Sequence, residues 1–402
     1  MVVLNPFHVE QWMDEYETKA KYNIAETCAA SISVSELADI SDSKPDPSTI
    51  LDLTTPLTYG EIRGSNTLRT NLARLYSSKV GTPLPPDNIL IQPGAISANF
   101  LVFTALVGKG DHVICHYPTY QALYDVPLGL GAEVSLWKAD PNKDWGVDID
   151  ELKAMIKPNT KLLVINNPQN PTGAIIKKSQ LEQIVELAEE HKIIIMSDEV
   201  YRPLFHGITP MDKDFPPSIL SMGYSRTIAT GSLSKAYALA GIRCGWIASR
   251  DPALVEECAK ARDYTTISVS SLDMQVAAFA LSPDTVHALL ARNIALAKEN
   301  VALLEKWIIK HDEFCSWTKP VAGTTAFVKF EREGKAVDAV ELCKRLMDKT
   351  GVMLVPGNLA FGEEFKGYVR VGYVNHTQVL KDGLEQMRVF MRKEFDDVPL
   401  AE

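Results

Sequence analysis

No stretch of the sequence approaches the ~20 consecutive apolar residues of a membrane-spanning helix. The opening segment, Met1 to Trp12, has neither the basic start nor the apolar core of a secretory leader. A cytoplasmic protein with no membrane partner is therefore the expectation, and the sequon Asn375-His376-Thr377 carries no weight in it. Cysteine is sparse and unpatterned. The six, Cys28, Cys115, Cys244, Cys258, Cys315 and Cys343, show no CxxC spacing, which suits reduced structural thiols and offers no zinc site. A basic excess is also missing: 41 Lys and Arg stand against 51 Asp and Glu, a net charge of −10, so a nucleic-acid partner is not expected. Gly129-Leu130-Gly131 lacks the third glycine of a dinucleotide fingerprint. These absences leave a small-molecule enzyme without a metal.

What is present is a chain of 402 residues, 46% hydrophobic and 23% charged, long enough for two or three domains. From about Asp87 short apolar runs alternate with amphipathic segments: Asn88–Ile91, Ser97–Leu106, His112–Cys115, Leu162–Ile165, Ser179–His191, Ile193–Met196 and Thr227–Ala229. That alternation predicts an α/β fold with a mainly parallel central sheet and helices on both faces. Leu162-Leu163-Val164-Ile165 is apolar at every position, as a strand buried on both faces must be. A long amphipathic stretch, Val286–His311, leads out of this domain. Thr325–Phe330, Val352–Val355 and Tyr368–Tyr373 then read as strands, and Leu380–Phe395 as a closing helix. The expected division is a large α/β domain over 46–285 and a smaller α+β domain over 286–402. Residues 1–45 pack on the smaller one, and the turn-rich run around Pro45 and Pro47 marks the junction.

Four polar segments follow apolar runs: Pro93-Gly94-Ala95-Ile96-Ser97, Asn167 to Gly173, Asp198-Glu199-Val200-Tyr201 and Ser232-Leu233-Ser234-Lys235. Ligands on parallel sheets collect beyond the strands' C-terminal ends, so these segments are candidates for one crevice. A lone lysine reads as a surface residue. Lys235, however, sits in a short polar turn with Ser232 and Ser234, with Arg243 eight residues on. An enclosed lysine loses its proton more easily and attacks an aldehyde, while the hydroxyls and the arginine suit a phosphate. Asp198, at the end of an apolar strand, is either a cap or a carboxylate facing a pyridine nitrogen. Tyr201, three residues later, is in reach of a ring oxygen, and Asn170 adds an amide in a turn-rich segment. Tyr120 is either a core aromatic or a platform for a planar ring. Ala95 and Ile96 open a helix whose N–H groups suit a phosphate. Arg370, a charge inside the strand-like run Tyr368-Val369-Arg370-Val371, is either an edge-strand salt bridge or a grip for a carboxylate.

The ordered set resembles, over almost the whole chain, the aminotransferase class I/II family of pyridoxal 5'-phosphate (PLP) enzymes, of PLP-dependent transferase fold type I. The resemblance implies that Lys235 forms the Schiff base, Asp198 partners the pyridine nitrogen, Tyr201 and Asn170 bind the ring oxygen, and Tyr120 stacks. It further assigns the phosphate to Ala95, Ile96, Ser232 and Arg243, and the substrate α-carboxylate to Arg370. Tyr59, in Thr58-Tyr59-Gly60, is similar to a tyrosine that reaches the neighbouring subunit's phosphate, which implies a homodimer with shared active sites. The expected activity is transfer of an α-amino group to a 2-oxo acid. The segment Asn23-Ile24-Ala25-Glu26-Thr27-Cys28 departs from the usual pattern. Its Ile-Ala-Glu portion is similar to ACC synthase-like enzymes and carbon–sulfur lyases, and its flanks resemble capreomycidine synthase-like and arginine-oxidising relatives. A β/γ-eliminating lyase, a cyclase or an amino-acid oxidase is the alternative. Glu26, and with it Asp14, is either a solvated helix or cap charge or lies near the substrate side chain, where a carboxylate favours a cationic substrate.

Overall fold

The computed structural model describes residues 4–77 and 82–402. The chain opens with α1 (His8–Tyr16), the short strand β1 (Tyr22–Asn23) and α2 (Val34–Ile40), followed by α3 (Asn66–Ser77). A seven-stranded sheet comes next: β2 (Ile89–Gln92), β3 (His112–Tyr117), β4 (Glu133–Lys138), β5 (Thr160–Asn166), β6 (Ile194–Asp198), β7 (Thr227–Ser232) and β8 (Gly245–Ser249). The helices that cover it are α4 (Ala95–Leu106), α5 (Ala122–Gly129), α6 (Ile149–Met155), α7 (Lys178–Glu190), α8 (Pro252–Arg262) and α9 (Ser271–Ala280). The long α10 (Val286–Ile309) carries the chain into a second sheet. Its strands are β9 (Cys315–Trp317), β10 (Thr325–Arg332), β11 (Lys335–Ala336), β13 (Val355–Pro356) and β14 (Tyr368–Gly372), while β12 (Val352–Met353) stands apart and pairs with β1. The remaining helices are α11 (Ala339–Thr350), α12 (Gly357–Ala360) and α13 (Thr377–Lys393).

The large sheet runs in the order β2-β8-β7-β6-β5-β3-β4. Only β8 is antiparallel to its neighbours; the other pairs are parallel. Strand β5 shows why apolar residues occupy consecutive positions. Leu162 and Val164 pack with Val102, Leu123 and Val255 from α4, α5 and α8, whereas Leu163 and Ile165 face Leu181 and Ile184 of α7. Each large aliphatic side chain so buried contributes ~1.5–3 kcal/mol. The chain adds β4 outside β3 and then returns to place β5 on the other side of β3, so the strand order reverses between β3 and β5. A crevice opens at that reversal, beyond the strands' C-terminal ends.

Two local readings change. Val352–Val355 is not one strand: Val352 and Met353 pair with Tyr22 and Asn23, whereas Val355 and Pro356 pair with Arg370 and Val369. Strand β4 escapes the sequence pattern because it lies at the sheet edge, with only Trp137 fully buried, so no continuous apolar run marks it. Among the described residues no helix is long and apolar enough to cross a membrane.

Candidate active site

The ends of β3, β5, β6 and β7 deliver Tyr120, Asn170, Asp198, Tyr201, Ser232 and Lys235 to one pocket of about 470 Å³, closed on its far side by α1 and the segment after β1. Ala95, Ile96, Arg243, Arg370 and Glu26 also line it.

Lys235 follows β7 in a turn fixed by its serines: Ser234 N–H donates to Ser232 Oγ at 3.0 Å, and the two hydroxyls lie 2.9 Å apart. Its ammonium donates to Thr27 Oγ1 and lies 3.5 Å from Cys28 Sγ and 4.0 Å from Glu26 Oε1. Burial works to lower the lysine's pKa, but Cys28, Tyr201 and Glu26 outweigh it and hold the ammonium above its ordinary range. Enclosure alone therefore does not free this lysine of its proton, contrary to the sequence expectation, because the walls are acidic rather than apolar. Glu26 shows the complementary effect. Burial raises its carboxyl, yet Lys235 and hydrogen bonding from Cys28 and Thr27 bring it below the ordinary range. Its Oε1 accepts from the N–H groups of Thr27 at 2.6 Å and Cys28 at 2.9 Å. Burial pushes the Cys28 thiol up to about 11.

Asp198, 3% exposed at the end of β6, accepts from Asn99 Nδ2 at 2.8 Å and Val200 N–H at 3.1 Å. Burial nevertheless raises its carboxyl to about 6. No helix begins there, so Asp198 is not a helix cap, but its bond from Val200 N–H does cap the turn that follows β6, while its other bond goes to an amide of α4. Tyr201 is buried and bonds through its side chain to Thr27; burial raises its phenol. Asn170 is held by its backbone N–H, which donates to Asn166 Oδ1 at 2.8 Å, while its own Oδ1 is buried without a partner.

At the N-terminus of α4, Gly94 takes φ 87°, and a Cβ there would lie 2.7 Å from Arg243 Nη2. Glycine lets the helix start and the guanidinium share one corner. Arg243 Nη1 donates to Ala240 O at 2.9 Å and approaches Ser234 Oγ at 3.4 Å. On the opposite wall, Arg370 sits in β14, between β10 and β13 rather than at an edge. It is 3% exposed, donates through Nη2 to Ala25 O at 3.1 Å, and keeps its Nε buried without a partner. The edge salt bridge is therefore excluded.

Tyr120 packs against Phe7 with ring centroids 5.0 Å apart and donates from Oη to Glu10 Oε1 at 2.6 Å. Tyr59 is 73% exposed and lies outside the pocket. Asp14 also lies outside: it is on the exposed side of α1, and Glu10, Met13 and Glu17 line the pocket instead. Sequence reasoning also missed Asn99 and Thr27. Asn99 carries a signal in retrospect, as the one amide in the otherwise apolar run Ala98 to Phe103. Thr27 carries none.

The set of groups fits a phosphorylated pyridine: N–H groups of a helix start beside a guanidinium, a buried carboxylate, the side-chain amide of Asn170 and a lysine. Set at the reversal of a doubly wound sheet, this pocket has the build of a PLP enzyme of fold type I. Residues 34–384 match the family model for aminotransferase class I and II, and the chain belongs to that family. A PLP-dependent aminotransferase from Streptococcus suis is 38% identical, with a TM-score of 0.87 over 97% of this chain and 98% of that one. Capreomycidine synthase of Streptomyces vinaceus is 29% identical over 303 residues, 75% of this chain and 74% of its own. Arginine–pyruvate transaminase of Pseudomonas aeruginosa is 27% identical, spanning 82% of this chain and 81% of its own. The protein is a PLP-dependent enzyme acting at Cα of an amino acid, and its family works on amino-acid and 2-oxo-acid substrates.

Proposed function

We propose that this chain transfers the α-amino group of an amino acid to a 2-oxo acid, with Lys235 as both the cofactor's anchor and the group that moves the Cα proton. The observation that carries the reading is the convergence of Lys235, Asp198 and Arg370 on one pocket. When bound, PLP supplies a carbonyl for the substrate amine and a ring that withdraws electrons from Cα. Asp198 keeps the ring nitrogen protonated, and its raised pKa in the free chain is relieved once a cationic partner faces it. Asn170 and Tyr201 bind the ring oxygen, and Tyr120 covers a ring face. Ser232, Arg243 and the N–H groups of Ala95 and Ile96 hold the phosphate. Arg370 grips the α-carboxylate through donors that include its orphaned Nε. Lys235 is the base that takes the proton from Cα and hands it on to the cofactor's former carbonyl carbon, since returning it to Cα would only restore the substrate. Tyr59 is assigned to the site of a second copy of the chain, as its exposure allows.

The division into 1–45, 46–285 and 286–402 belongs to the same proposal. It is supported by the pairing of β1 with β12 and by the bond from Trp12 Nε1 to Leu354 O at 2.8 Å. A cytoplasmic location, too, is proposed, supported by six free cysteines. A second reading, elimination or cyclisation, draws on Glu26 and Cys28 beside Lys235 and on the likeness to capreomycidine synthase. Incubating the PLP-loaded enzyme with an amino-acid panel, with and without 2-oxoglutarate, separates the two by mass spectrometry and ammonia assay. Transamination requires the oxo acid. Ammonia or a cyclic product formed without it sinks the transaminase reading.

A further inference from the structure

Helix α1 forms the wall of the pocket that the cofactor residues leave over. Glu10, Met13 and Glu17, spaced by three and four residues, share the face that lines the pocket. On the other side Trp12 is buried and tied to Leu354. Glu10 accepts from Tyr120 Oη. The Glu17 carboxylate has no hydrogen-bond or ion-pair partner among the described residues; burial raises its carboxyl, as does repulsion from Glu26, Glu10 and Asp14, against the attraction of Lys235.

The charges around the pocket do not balance once the roles above are filled. Its cations are Lys235, Arg243 and Arg370, and its anions are Glu10, Glu17, Glu26 and Asp198. Arg243 is taken by the phosphate, Arg370 by the α-carboxylate, Lys235 by the bond to the cofactor and Asp198 by the ring nitrogen. Glu10, Glu17 and Glu26 then face the substrate side chain with no counter-charge, an arrangement that repels anions and is relieved by a cation. Independently, Arg370 Nε and Asn170 Oδ1 are buried without partners in the same pocket, which marks it as built to receive a polar ligand. Met13, between the two glutamates, offers an apolar surface for a methylene stem.

We propose that the substrate is an amino acid whose side chain ends in a guanidinium, read by Glu10 on α1 and Glu17 just beyond its end, with Glu26 on the same pocket wall. This rests on the assignment of Arg370 to the α-carboxylate and of Lys235 to the cofactor. A planar guanidinium, with donors along more than one edge, reaches carboxylates on different sides of it better than a point-like ammonium does.

The test uses the PLP-loaded enzyme and two readouts at equilibrium, titration of the cofactor absorbance and the rise in Tm. Arginine is compared with its neutral isostere citrulline and with glutamate. Arginine is expected to bind at least about tenfold more tightly than citrulline, as the loss of charge-assisted bonds predicts. Glutamate should bind weakest. In the double variant Glu10→Gln, Glu17→Gln the arginine-to-citrulline ratio should fall towards one, and Glu17→Gln alone, at an exposed position, should fall part of the way without disturbing the fold. Arginine and citrulline binding equally, with both perturbing the chromophore, overturns the inference and leaves the aminotransferase reading intact. A chromophore that no amino acid perturbs overturns that reading and takes the inference with it.

Discussion

Asp198 carries a cost in the free chain that Asn99 and Val200 only partly offset, since its carboxyl is raised from 3.8 to about 6. A carboxylate whose folded pKa lies above its unfolded value destabilises the fold above the folded pKa, and the penalty fades as pH falls towards the unfolded one. Asp198→Asn should therefore stabilise the cofactor-free protein at pH 8 by about 1–3 kcal/mol, and the gain should shrink between pH 6 and pH 4. Thermal unfolding of both apo proteins across that range checks it. The same variant should hold PLP poorly. Legibility at this scale varied with chemistry. Lys235, Asp198 and Arg370 are conspicuous as charges at the ends of or within apolar runs, whereas Thr27, which bonds both Lys235 and Tyr201, resembles any loop threonine.

Helix α4 depends at its start on the one residue without a Cβ. Gly94→Ala would force a side chain into a φ of 87° and to within 2.7 Å of Arg243 Nη2. The strain, about 1–3 kcal/mol, and a displaced guanidinium should loosen PLP at least tenfold, measured by its release on dialysis. Unchanged retention would place the phosphate elsewhere. Helix α1 is held differently, by a buried indole and its bond to Leu354 O. Trp12→Ala, a loss of about 3–5 kcal/mol of local packing, should speed hydrogen exchange over 8–16 and raise the amino-acid KM while leaving the cofactor absorbance in place. A raised cofactor Kd instead would mean that α1 supports the ring rather than the substrate. From the sequence no helix is expected over 8–16, so neither α1 nor the face it turns to the pocket was foreseen. The structure puts Glu10 and Glu17 there, on either side of the expected Asp14.

Across the whole molecule, the proposed homodimer makes a prediction that a single chain cannot satisfy. Subunits carrying Lys235→Ala and subunits carrying Tyr59→Ala should each be impaired, and reassociated mixtures should recover about a quarter of wild-type activity, because half the dimers then hold one intact site. No recovery, with dimers confirmed by light scattering, would leave Tyr59 outside the site. The strand-and-helix alternation, the double-sided burial of β5 and the placing of Lys235 and Asp198 at strand ends all followed from the amino-acid order, because side-chain periodicity reports directly which faces an element must bury. Only the tertiary structure decided that Val352–Val355 divides between two partners, that Arg370 lies within the sheet and that Glu10 meets Tyr120 across 110 residues. Those contacts join segments far apart in the chain, and their closure depends on how the two sheets and α1 pack together, which no local pattern encodes.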